Sequence, residues 1–106
     1  MATTYNKLIR DKILDMLDAK GLSHTEHIAT DTEYEEKLFA KLLEEAAEVA
    51  TEESADKLKE EIADLLEVIE AIKVLKGFST SDIESLRLQK LEERGGFERR
   101  IILETS

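Results

Sequence analysis

Five carboxylates in the middle of this 106-residue chain are spaced as groups that act together. Glu44, Glu45 and Glu48 stand in one run, and Glu61 and Asp64 follow after twelve intervening residues. A helix advances about 100° per residue, so residues three apart share a side. Glu45 with Glu48, and Glu61 with Asp64, are thus two acid pairs. Glu45 lies about 20° from the direction of Leu38, at the edge of an apolar arc of Leu38, Phe39, Leu42, Leu43, Ala46, Val49 and Ala50. Glu44 lies farther round, toward the polar face. Glu61 falls inside a second arc, between the directions of Val68 and Ile72, and Asp64 falls at its margin near Leu75. A solvated charge run would not place a carboxylate there. Buried without a partner, a carboxylate is costly or takes up a proton. Four hard oxygen ligands without histidine or cysteine suit Mg²⁺ or Mn²⁺ over zinc. A di-iron bundle would want Glu-x-x-His pairs, which these segments lack. His24 and His27 lie outside both segments and read as solvated or structural.

Glycine and hydroxyl residues mark the elements that must carry these acids. Ile9, Ile13, Met16 and Leu17 predict a helix over about Asn6–Lys20, stopped by Gly21. Thr30-Asp31-Thr32 offers several N-caps, and Thr32-x-x-Glu35 resembles a capping box. A long helix follows to about Ala50. Thr51-Glu52-Glu53-Ser54 is a tight connection with Ser54 as the next N-cap, and a second long helix runs over Ala55–Lys76 and stops at Gly77. Ser81-x-x-Glu84 is another capping box, opening a helix to about Arg94 that Gly95-Gly96 breaks. The class is all-α, built on an antiparallel helix hairpin. A minor short β pair between residues 23–29 and 97–103 is the one expected departure from it.

The chain length fits a single domain over residues 1–106. Apolar residues make up 42% and charged residues 38%, too apolar for a disordered chain and too charged for a membrane protein. The longest apolar run, as in Ile101-Ile102-Leu103, is three residues, and the start of the chain has no apolar signal core. With no cysteine there is no disulfide framework and no thiolate chemistry. A cytoplasmic protein without a membrane partner is expected. The net charge of -10 is unevenly placed: residues 1–30 are neutral, residues 31–70 carry -11 and residues 71–106 carry +1. Such a field repels DNA and RNA and attracts cations. The basic ends supply Lys7, Arg10 and Lys12 on one side and Arg94, Arg99 and Arg100 on the other. These can grip phosphate oxygens if the ends fold back. Lys7 and Arg10, three apart, would share a helix face, with Asp11 holding one of them. Phe39, Ile62, Ile69 and Val74 point in different directions, so two helices of one chain cannot cover their own apolar surface. At least a dimer is expected.

Glu44-Glu45-Ala46-Ala47-Glu48 followed by Glu61-Ile62-Ala63-Asp64 reads as E-E-x-x-E and E-x-x-D. It resembles the MazG motif of the all-α nucleotide pyrophosphohydrolases, a superfamily that includes the phosphoribosyl-ATP pyrophosphohydrolases. Tyr5-Asn6-Lys7-Leu8-Ile9-Arg10-Asp11-Lys12-Ile13 is similar to the NKLVRDKI opening of a small MazG-like branch. Arg94-Gly95-Gly96-Phe97-Glu98-Arg99-Arg100-Ile101 is similar to its RGGFxxRI ending. That branch often has proline after DKI, where Leu14 stands here. The resemblance implies a MazG-like helical bundle, assembled as a homodimer or a dimer of dimers. It implies hydrolysis of the α–β phosphoanhydride of a nucleoside triphosphate, standard or non-standard, to monophosphate and pyrophosphate. Glu45, Glu48, Glu61 and Asp64 match its Mg²⁺ ligands. The ion would screen the polyphosphate and lower the pKa of a bound water. Glu44, with Glu45 beside it, would orient or deprotonate that water, and no covalent nucleophile is implied.

Two other readings stand beside this one. Phosphoribosyl-ATP hydrolysis would use the same acids with a different base and ribose pocket. A non-enzymatic helical oligomerisation or binding module would keep its acids for solubility or cation binding. Glu61 weighs against the second, since a purely structural bundle would gain from Leu or Ile there.

Overall fold

The computed structural model describes residues 3–106, which form four helices and, among the described residues, no strand. They are α1 (Ile13–Ala19), α2 (Asp31–Thr51), α3 (Ala55–Lys76) and α4 (Thr80–Arg94). Each long helix opens on a hydroxyl cap. Thr30 Oγ1 accepts from the Glu33 amide at 3.2 Å, Ser54 Oγ from Lys57 at 3.5 Å, and Ser79 Oγ from Asp82 at 3.1 Å. Two of these caps lie two residues earlier than the capping boxes at Thr32 and Ser81 suggest. The helix propagates back until the chain turns extended, and that turn comes at Thr30 and Ser79. α3 ends as expected at Gly77, whose φ of 72° is left-handed and open to glycine without a Cβ penalty.

The first helix is shorter than its periodicity suggests. Residues 6–12 are irregular, and helix begins only at Ile13. Asn6 sits at φ 47°, its carbonyl accepts from Lys37 Nζ at 2.9 Å, and its neighbours' charges go to the long helices. Tertiary polar contacts thus hold this segment extended across α2 and α3. The expected β pair is also absent. Residues 23–29 are irregular, and within them the side chains of His24 and His27 bond to acids, His24 to Asp18 and Glu26 and His27 to Glu33. Residues 97–103 are interrupted by a turn, with Arg100 at φ 57° and its amide on the Phe97 carbonyl.

The main packing is α2 against α3. Leu38 and Val68 are the buried apolar residues, with Glu45 and Lys73 the buried charged ones. Lys73 is satisfied by Glu70 Oε1 at 2.6 Å. Lys76 bridges the hairpin to Glu35. Much of the apolar surface stays outside: Leu43 is 73% and Val74 80% exposed. The radius of gyration is 18.1 Å, against about 13 Å for a compact domain of similar length. Among the described residues, no helix is long and apolar enough to cross a membrane.

Candidate metal centre

The hairpin brings carboxylates from its two arms together. One oxygen each from Glu45 of α2 and from Glu61 and Asp64 of α3 lie within 4.8 Å of one another. The antiparallel turn at Glu52–Ser54 sets this register, with the Glu52 side chain accepting from the Ser54 amide at 3.1 Å. Glu45 is the innermost member, its side chain 9% exposed. Its Oε2 is buried with no hydrogen-bond partner among the described residues. Lys41 Nζ stands 3.8 Å from its Oε1, too long for a hydrogen bond. Burial pushes the Glu45 carboxyl up first, and its contact with the Glu48 carboxyl and the negative charges of Glu48 and Asp64 push the same way. Glu61 is raised to about 7, first by a hydrogen bond with Glu48, then by burial and by repulsion from Glu48, Asp64 and Glu45. Glu48, more exposed, therefore adjoins the trio. Of the four acids read from sequence as a ligand set, Glu45, Glu61 and Asp64 converge, and Glu48 lies beside them outside the trio.

Mutual repulsion and an orphaned oxyanion are what a hard divalent cation would relieve, and an all-carboxylate donor set is what it would select. The residues present fit Mg²⁺ or Mn²⁺ on that ground.

Glu44 points elsewhere. Its Oε1 accepts from Lys7 Nζ at 2.9 Å, and Lys41 lies 4.0 Å from its Oε2. The Lys7 hydrogen bond holds the Glu44 carboxyl below the usual range and raises Lys7 in turn. Arg10 Nη2 donates to Asp64 Oδ1 at 3.1 Å. Lys7 and Arg10 therefore reach the site from an extended segment, one to each helix, and not from one helix face. Their partners are Glu44 and Asp64, not Asp11. Lys12 caps the short α1 and is exposed. Arg94, Arg99 and Arg100 are exposed at the end of α4 and in the segment beyond it, and line neither depression beside the acids.

Two depressions meet at Arg10, Lys41, Glu45 and Asp64. One runs toward Ile13 of α1. The other, a cleft of about 270 Å³, runs between the N-terminal segment and the hairpin to Tyr34 and Ala71. Lys41 and Tyr34 were not singled out in the sequence, although a signal was there. Tyr34, Leu38, Lys41 and Glu45 follow one another at helical spacing, so Tyr34 shares a side with Glu45 three turns away.

Compared with known proteins, the chain matches no family model, no curated protein and no solved structure.

Proposed function

We propose that this protein is a Mg²⁺-dependent nucleotide pyrophosphohydrolase, cleaving a nucleoside triphosphate to the monophosphate and pyrophosphate. The observation that carries this reading is the buried, partnerless Glu45 Oε2 beside Glu61 and Asp64. A scaffold helix gains nothing from such a group. A cation site does.

Glu45, Glu48, Glu61 and Asp64 would hold the ion, which when bound screens the polyphosphate and makes water a better nucleophile. Water adds across the α–β anhydride. The bond to the bridging oxygen breaks, and pyrophosphate leaves with its electron pair. The proton lost by the water goes to a carboxylate of the cluster. Glu44, held ionised by Lys7, serves best to orient the water through an oxygen not bonded to Lys7. Arg10 and Lys41 stand at the same end of the cleft and would meet phosphate oxygens once Asp64 and Glu45 hold the ion, and Lys7 would do so through an N–H that Glu44 does not use.

A second copy of the chain completes the bundle, as a homodimer or a dimer of dimers. The exposed Leu43 and Val74 support this, as does the reduction of the buried apolar core to Leu38 and Val68.

The test is pyrophosphate release from a panel of standard and modified nucleoside triphosphates, with Mg²⁺ and with EDTA. Metal-dependent release is expected. A folded, Mg²⁺-binding protein that releases none from any of them overturns the assignment.

A further inference from the structure

The cleft that opens beside the acids has a direction. Along α2 its wall runs from Glu45 through Lys41 and Leu38 to Tyr34, and along α3 from Asp64 through Val68 to Ala71. The helices are antiparallel, so both walls lead away from the carboxylates toward the same end. By helical rise the α2 wall spans about 16 Å and the α3 wall about 10 Å. The two basic groups lining the cleft, Arg10 and Lys41, both stand at the acid end. The far end holds an aromatic ring and apolar side chains and no basic group. An occupant matched to this wall carries its charge at one end and a planar, uncharged ring at the other. Its reach is that of a nucleotide from the α-phosphate to the base.

We propose that this cleft is the nucleoside subsite and that the Tyr34 ring packs on the nucleobase. The assignment rests on the pyrophosphohydrolase reading for which end the phosphates occupy. A volume of about 270 Å³ is at the lower end for a ligand pocket (about 300–1,000 Å³). That takes base and sugar and leaves the polyphosphate over the carboxylates. Lys41 marks the threshold, its ammonium 3.8 Å from Glu45 Oε1, where the α-phosphate enters. Glu67, one turn beyond Asp64 on the same wall, offers a carboxylate to the sugar hydroxyls or to an exocyclic amino group. Stacking on an aromatic face tolerates every base. Tyr34 therefore sets nucleotide affinity, and Glu67 adds preference.

The experiment observes the tyrosine ring signals of the full-length protein by NMR. The Tyr34 signal is identified by its loss in Tyr34→Phe. The probes are adenosine 5′-monophosphate, uridine 5′-monophosphate and ribose 5-phosphate, each with Mg²⁺. Both nucleotides are expected to move the Tyr34 ring signal, and ribose 5-phosphate is expected to leave it in place. Tyr34→Leu should raise KM about tenfold, as loss of one base stack does, with kcat within about twofold. Tyr34→Phe should match the parent. A Tyr34 signal unmoved by either nucleotide, as when a second copy fills the cleft, overturns the assignment even if pyrophosphate is released. An equal response to ribose 5-phosphate does the same. Nucleotide-dependent shifts in a protein that hydrolyses no triphosphate would uphold the subsite while removing the hydrolase reading.

Discussion

Replacing Glu45 with Gln should make the metal-free protein more stable and the metal-loaded one less so. The side chain is 9% exposed, and Oε2 has no partner. Removing an unsatisfied buried oxygen of this kind is worth about 1–3 kcal/mol. The amide of E45Q has the same shape and can donate to Glu48, Glu61 or Asp64, turning repulsion into hydrogen bonds. Against this stands the lost attraction to Lys41, 3.8 Å away and without hydrogen-bond geometry, worth at most about 1 kcal/mol. The net gain is about 1–2 kcal/mol, and each kcal/mol moves Tm by about 4–8 °C in a domain this small. Thermal melts in EDTA at fixed protein concentration should therefore show E45Q melting several degrees above the parent. In Mg²⁺ the order should close or reverse. An ion present at ten times its Kd adds about 1.4 kcal/mol to a protein that binds it, and E45Q has lost a ligand. Titration calorimetry with Mg²⁺ supplies the matching affinity. A variant that melts lower in EDTA, and still gains the full increment from Mg²⁺, would refute both the burial argument and the ligand assignment.

Three further outcomes follow from the same residues. Glu61→Gln should abolish pyrophosphate release with the helical circular dichroism spectrum unchanged, and near-full Mg²⁺-dependent turnover would remove Glu61 from the ligand set. In EDTA, stability should fall as pH rises from about 4.5 to about 7: Glu45 and Glu61 hold protons in the fold that the unfolded chain releases, so the native state binds more protons across that window. Melts in EDTA at pH 5.5 and pH 8 check this, and a higher Tm at pH 8 would contradict it. Light scattering at micromolar concentration should give at least a dimer, and Val74→Glu should weaken it by placing charge on an exposed apolar face; a monodisperse monomeric parent would count against assembly.

The long helices were legible because each carries its own punctuation. Ser54 and Gly77 bracket α3 where spacing and cap chemistry place them, and both act through contacts local in sequence. The convergence of Glu45, Glu61 and Asp64 was legible for a related reason. Position on a helix face follows from residue number alone, and a short antiparallel turn leaves little freedom in register. The start of the chain was not legible in this way. Ile9 and Ile13 have helical spacing, but Lys7, Arg10 and the Asn6 carbonyl find partners thirty-one to fifty-four residues away. Those contacts select an extended path that no local pattern records. The strand expected at 97–103 failed similarly. Its β-branched pair favours extension, while the turn at Arg100 breaks the run. Tyr34 is one of five aromatics in the chain, with Phe39 on the same helix, and nothing local marks it as a stacking residue until the facing wall of the cleft is known.

The acids and the uncovered apolar surface are two sides of one energetic arrangement. Leu38 and Val68 are a small core for two helices of more than twenty residues, and the carboxylates beside them repel one another. Neither feature favours the isolated, metal-free chain, whose conformational entropy must be offset from somewhere. A cation would remove the repulsion between the hairpin arms, and a second copy would cover Leu43 and Val74. The two remedies act on the same pair of helices, because Glu45 and Leu38 lie on one side of α2, while Val68 and Asp64 line one wall of the cleft on α3. Binding of a cation would fix the separation of the arms, and that separation would set the outer surface offered to a second copy. Assembly and metal affinity should therefore be linked, each strengthening the other by the same factor. Sedimentation at a series of Mg²⁺ concentrations reads that factor directly. A dimer dissociation constant that falls with Mg²⁺ in the parent and stays flat in E45Q is the expected pattern, and equal Mg²⁺ dependence in both would separate the metal centre from assembly.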